Sequence, residues 1–242
     1  MNNDITFNRV ISDQSVYGII WSGRYKKESC VIKMVSLTSG VHYDLEKKVY
    51  RDGQDNKLRD VPLIYMNHRS ETLRVPFLHH LFRERASMTR ENFFDECQKM
   101  TKMSDLGLAP KVYGYGVCDQ LYPIHYGFLI MERMDSSVKD VILKRDLTKD
   151  DLKVIFKVID RMHNKCGIVH GDMKPSNIGV NLDREGRIIK CLLFDCQKVK
   201  FKTNLTESKF AKRVKRDHST FHSHVASNTQ QRQQQRSNLT RS

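Results

Sequence analysis

Ile168-Val169-His170-Gly171-Asp172-Met173-Lys174-Pro175-Ser176-Asn177 is the stretch from which the rest of the chain is read. From Asp172 to Asn177 it brings together an acid, a cation and an amide, the groups that phosphoryl transfer from a nucleotide requires. A carboxylate accepts the proton of the attacking hydroxyl, an ammonium neutralises charge on the moving phosphoryl group, and an amide oxygen serves a Mg²⁺ ion. The flanks fit an ordered loop between regular elements. Thr148-Lys149-Asp150-Asp151 predicts a helix start with an acidic first turn, and Leu152, Ile155, Phe156, Ile159 and Met162 recur at helical spacing before Gly167 closes the helix. Downstream, Asn181 to Gly186 predicts a turn and Ile188 to Phe194 a buried strand that ends in Asp195.

The stretch resembles the catalytic loop of eukaryotic-type protein kinases, H-R-D-x-K-x-x-N, with Gly171 in place of the Arg. The resemblance implies Asp172 as catalytic base, Lys174 on the γ-phosphate, Asn177 as one metal ligand and Asp195 as the second. H-G-D with a Lys two residues on is similar to the vaccinia-related branch of Ser/Thr kinases. Small-molecule phosphotransferases also use H-G-D but commonly place another residue where Lys174 stands. In many kinases the replaced Arg holds a phosphorylated activation loop, so Gly171 implies activity without such a switch.

Two small lobes fit within 242 residues, a short length for a full protein kinase. The formal net charge is +14. From Lys198 onward there are 11 basic and 2 acidic residues, so the tail carries +9 of it. Six cysteines (Cys30, Cys97, Cys118, Cys166, Cys191, Cys196) form no CxxC pair and follow no signal peptide, which implies a reducing, intracellular setting, cytoplasmic or nuclear. No apolar run approaches the roughly 20 residues of a membrane span, so a soluble chain with no membrane partner is expected.

In chain order, Ile5 to Val35 predicts three strands with a turn at Ser22-Gly23. Lys33 lies inside the apolar run Cys30 to Val35. Such a Lys either snorkels from an edge strand or is buried with a ligand and a carboxylate partner. The kinase resemblance favours the second and implies that Lys33 holds the nucleotide phosphates, with Gly18 and Ile20 beside the nucleotide. Of the family's glycine-rich loop only Gly18 is matched, Asp13 and Ser15 standing where the first two glycines belong. Residues 36–88 are read as an insertion with turns at Ser39-Gly40 and Asp52-Gly53 and a basic, aromatic run from Pro76 to Arg85 that includes His79 and His80. A helix from Thr89 to about Ser104 buries Phe93, Phe94, Cys97, Met100 and Thr101; at the edge of that stripe, Glu96 is expected to pair with Lys33, with Glu91 the alternative. Tyr126 to Met134 resembles the hinge, which implies adenine contacts by the backbone of Glu132 to Met134 and Met131 at the rear of the pocket.

After Asp195 the family's D-F-G reads Asp195-Cys196-Gln197, and nothing later resembles an activation segment. The expected fold is therefore α+β and protein-kinase-like, with two lobes. An N-lobe of antiparallel sheet plus one helix spans 1–134. A reduced, mainly helical C-lobe spans 135–202 and lacks the activation segment and later helices. A basic tail spans 203–242 and is disordered by composition. The expected activity is a Ser/Thr-type protein kinase using ATP and Mg²⁺ on a protein substrate. The alternatives are a pseudokinase that binds a cellular or host kinase or its substrate, and a small-molecule phosphotransferase. The run Lys209 to Arg216 adds a possible nuclear localisation signal or nucleic-acid contact.

Overall fold

The computed structural model describes residues 5–12, 18–37, 41–44, 49–52, 58–59, 88–118 and 126–239. Asp13, Ser15 and the Pro76 to Arg85 run with His79 and His80 lie outside them. The fold is α+β and divides into two compact units, one of residues 1–97 and 112–133, the other of residues 98–111 and 134–242.

The first unit is built on β1 (Ile5–Ser12), β2 (Gly18–Tyr25), β3 (Glu28–Ser36), β7 (Val112–Cys118) and β8 (Tyr126–Glu132), in the antiparallel order β1-β2-β3-β8-β7. Strands β4 (Val41–Asp44), β5 (Val49–Asp52) and β6 (Leu58–Arg59), within the expected insertion, form a separate antiparallel ribbon. The expected turn at Ser22-Gly23 is instead strand. The reversal falls at Lys26 and Lys27, both at positive φ (47° and 72°), the geometry of a two-residue hairpin turn that matches strand twist. Gly23 is needed inside β2 because a Cβ there would come within 2.3 Å of the Thr6 carbonyl oxygen. Helix α1 (Arg90–Asp105) is capped by Thr89, whose hydroxyl accepts from the Asn92 amide at 3.2 Å. Phe93 of α1 packs on β8 where Gly127 leaves room; a Cβ there would meet the ring at 2.8 Å.

In the second unit α2 (Val138–Lys144) and α3 (Lys149–Asp160) open on capping boxes at Ser137 and Thr148. A π-helical turn, Arg161–Lys165, extends α3 to Gly167, which sits at φ 62°. Then come β10 (Ile168–Val169), β11 (Ile178–Leu182), β12 (Ile188–Leu193) and β13 (Lys200–Phe201). Strand β11 pairs with β12 and with the short β9 (Ser136–Ser137), and β10 pairs with β13. Asp151 joins these pieces. Its carboxylate accepts from the Thr148 amide and hydroxyl (both 2.8 Å), from two nitrogens of Arg145 (2.6 and 3.1 Å) and from the Ile188 amide (2.9 Å).

Burial raises the Asp151 carboxyl, but the Arg145, Ile188 and Thr148 hydrogen bonds outweigh it and hold the group below the usual carboxylate range. The stabilisation is therefore complete above the unfolded carboxylate value near 4 and is lost as pH falls through the depressed folded value. Thermal unfolding should shift to lower temperature as pH drops from about 5 to about 2, and Asp151→Asn should flatten that dependence while lowering stability at neutral pH. A melting temperature unchanged over this range would contradict the assignment.

The tail expected to be disordered is helix α4 (Glu207–Leu239). Composition misled because its few apolar side chains fall at helical spacing. Phe210, Asp217 and Phe221 are buried and Val214 is half-buried, giving one inward stripe at i, i+4, i+7 and i+11. No Gly or Pro interrupts the segment. Farther along, buried Arg232 donates to the Ile142 carbonyl at 3.2 Å and pairs with Asp146, fastening α4 to the end of α2.

Candidate active site

In the first unit, Lys33 lies on β3 opposite Ile20 of β2 and Leu129 of β8, so the three side chains share a face. Its ammonium donates to Glu96 Oε1 of α1, and both side chains are nearly inaccessible. Glu91 is exposed in the first turn of α1. Gly18 begins β2, where a Cβ would meet the Met34 carbonyl oxygen at 2.8 Å, so close packing on β3 alone requires glycine there. Met131 is buried at the end of β8 and Glu132 is its last residue; Met134, also buried, belongs to the second unit.

In the second unit the catalytic-loop residues converge. Lys174 Nζ donates to Asp172 Oδ2 at 3.1 Å, and Asn177 Nδ2 donates to the Asp172 carbonyl at 2.9 Å and to Oδ2 at 3.3 Å. Spending its amide nitrogen on Asp172 leaves the Asn177 oxygen as the group for a cation. The Phe194 amide donates to the Asn177 carbonyl at 2.8 Å, extending the β11–β12 pairing, and Asp195 is the residue that follows. Asp195 is left-handed (φ 56°, ψ 69°), a conformation costing a non-glycine residue roughly 1–2 kcal/mol and concentrated at functional sites. Two hard oxygen ligands supplemented by nucleotide phosphates are what Mg²⁺ commonly takes from a protein. Partial burial raises the Asp172 carboxyl, but the Lys174 hydrogen bond and the charges of Lys174 and Lys198 reverse this, leaving it ionised and able to accept a proton.

The two residues that replace Phe and Gly after Asp195 are held by the C-terminal half of α1. The buried Cys196 thiol meets the Met100 sulfur at 3.3 Å, and the Gln197 carbonyl accepts from Lys99 Nζ at 3.1 Å. His170 Nε2 donates to the Phe194 carbonyl at 2.8 Å, while its buried Nδ1 has no partner among the described residues. Burial lowers the imidazole's affinity for a second proton more than the Phe194 carbonyl and nearby carboxylates raise it, so the ring is neutral and linked to the strand carrying Asp195.

The sequence reading missed Asp217. From inside α4 its carboxylate accepts from the backbone amides of His170 (2.8 Å) and Gly171 (2.9 Å) and from His163 Nε2 (3.1 Å). Burial raises this carboxyl as well, but the three hydrogen bonds bring it below its usual value. The available signal was a lone acid on the apolar stripe of the segment.

Gly171 has a steric reason of its own. Its φ is 79°, and a Cβ would lie 2.8 Å from the Lys198 carbonyl oxygen and 3.1 Å from its Cβ. Gly171→Ala should therefore destabilise the second unit by about 1–3 kcal/mol, read as a lower denaturant midpoint at unchanged slope. An unaltered midpoint would refute the packing argument.

Three groups needed to move a phosphoryl group thus lie on one carboxylate-centred loop, and a buried Lys–Glu pair lies in the sheet unit. No curated protein matches the chain. The family described as lipopolysaccharide kinase (Kdo/WaaP) matches residues 65–240, a span that takes in α1, the catalytic loop, Asp195 and all of α4. With kinase residues placed as above and that match covering most of its length, the chain belongs to the lipopolysaccharide kinase (Kdo/WaaP) family, a protein-kinase-like kinase family.

Proposed function

We propose that the chain is an ATP-dependent kinase that transfers the γ-phosphate to a hydroxyl of a lipopolysaccharide-type saccharide. The observation that carries the reading is the Asp172 carboxylate hydrogen-bonded to both Lys174 and Asn177, with Asp195 following Phe194, whose amide bonds the Asn177 carbonyl. Asp172 orients the acceptor hydroxyl and takes its proton as the new phosphate ester forms. Lys174 then balances charge on the transferring phosphoryl oxygens, and Lys33, held by Glu96, serves the other phosphates. Asn177 and Asp195 are the residues to hold Mg²⁺, which when bound neutralises phosphate charge. Lys33→Met should lower kcat/KM for ATP about 100-fold and weaken nucleotide binding, measured by initial rates and by equilibrium titration; unchanged ATP dependence would remove Lys33 from the site.

A protein hydroxyl is the second acceptor reading, favoured by the Asp-x-Lys spelling shared with protein kinases. Against it, among the described residues only two short 3-10 turns and the two-residue β13 separate Asp195 from α4, little chain for a peptide platform. Incubation with γ-labelled ATP, lipopolysaccharide core and a protein mixture separates the cases. Label in the saccharide supports the proposal and label only in protein supports the second reading. No label from folded protein returns the chain to a non-catalytic role such as a binding decoy.

A further inference from the structure

Asp172 carries more positive charge than its catalytic duties require. Besides Lys174, Lys198 places Nζ 3.8 Å from Asp172 Oδ2, and its side chain is 64% exposed against 35% for Lys174. The position is built rather than incidental. The Lys198 backbone fills the space above Gly171, Val199 is fully buried beside it, and Lys200 pairs with Val169 across the β10–β13 ribbon. Lys198, the last residue of a 3-10 turn (Cys196–Lys198), and Lys200, the first of β13, are exposed, while Val199 between them turns inward. Lys202 is neutralised by Glu207 at 3.0 Å, whereas among the described residues Asp172 is the carboxylate that Lys198 reaches. When a hydroxyl occupies Asp172, an exposed ammonium therefore stands next to it, with Asp172, already shared with Lys174, as its carboxylate among the described residues. A neutral acceptor leaves this charge unused; an acceptor bearing an anion beside its hydroxyl completes it.

We infer that Lys198 forms an anion subsite that selects acceptors carrying a carboxylate or phosphate close to the phosphorylated hydroxyl. The inference rests on the proposed role of Asp172 in receiving that hydroxyl. Lys198 acts in binding, and the proton of the hydroxyl still goes to Asp172.

The test is equilibrium binding, without ATP, of purified lipopolysaccharide core oligosaccharide in four forms: native, dephosphorylated, carboxyl-reduced, and both. Lys198→Gln should weaken binding of the native form about tenfold, the scale of one charge-assisted hydrogen bond, and Lys198→Arg should stay within about twofold of the parent. The difference between Lys and Gln should vanish with the doubly treated form, and the singly treated forms tell which anion is read. Equal weakening of native and doubly treated forms, or none for either, overturns the subsite. Kinetics separate this from the kinase reading. Transfer that ignores Lys198→Gln removes the subsite and leaves the kinase. The predicted binding pattern without any transfer removes the kinase and leaves the subsite.

Discussion

Asp172→Asn lowers kcat for phosphoryl transfer by about 10³-fold while leaving the melting temperature and ATP affinity near those of the parent. General-base catalysis contributes typically 10²–10⁴-fold, and Asn is close in shape but accepts no proton at neutral pH. Retained shape matters because Asp172 also anchors Lys174 and Asn177, whose hydrogen bonds to it define the loop. The bond from Asn177 to the main-chain carbonyl survives the change, so the loop should hold. Initial rates beside a thermal melt check both halves of the prediction. A variant that keeps more than a tenth of the activity would show that Asp172 is not the base.

Asp217→Ala is the second large effect, and it falls on stability and activity together. Removing this carboxylate leaves the amides of His170 and Gly171 and the ring of buried His163 with no acceptor. Stripping a buried charge from its partners costs about 3–5 kcal/mol, which for a chain of this size lowers the melting temperature on the order of 10 °C. Activity should fall even at temperatures where the variant is folded, because the residue after Gly171 is Asp172. Asp217→Asn supplies one acceptor oxygen and should recover part of the loss. His163→Ala leaves both backbone amides bonded and should cost less than either. If Asp217→Ala melts with the parent and transfers phosphate at its rate, α4 does not hold the loop in place.

The contrast between Asp172 and Asp217 shows where sequence reading succeeds. Residues 168–177 were legible because their chemistry is local: acid, cation and amide lie within one loop and bond to one another. Lys33 and Glu96 are 63 residues apart, yet each broke an apolar pattern, and a buried charge implies a partner. The strand and helix order around them followed from periodicity for the same reason. Asp217 gave only a faint sign, a lone acid on a sparse apolar stripe. It stands in a segment whose overall composition is polar and basic, and its role appears only when Phe210 and Phe221 are seen to bury one stripe of a helix. Gly171 was read through what it replaces, whereas its φ and the Lys198 backbone above it decide the residue. Ser22-Gly23 misled similarly, since a Gly demanded by the approach of the neighbouring strand resembles a Gly demanded by a turn. Non-local sterics leave no local pattern.

The central claim is that these residues move the terminal phosphate of ATP to a hydroxyl, and ³¹P NMR of the protein with Mg-ATP and lipopolysaccharide core follows that phosphate directly. The account predicts loss of the γ resonance, stoichiometric appearance of ADP and a new phosphomonoester signal on the saccharide, all absent with Asp172→Asn. An unchanged ATP spectrum, or release of inorganic phosphate alone with no ester formed, would contradict it.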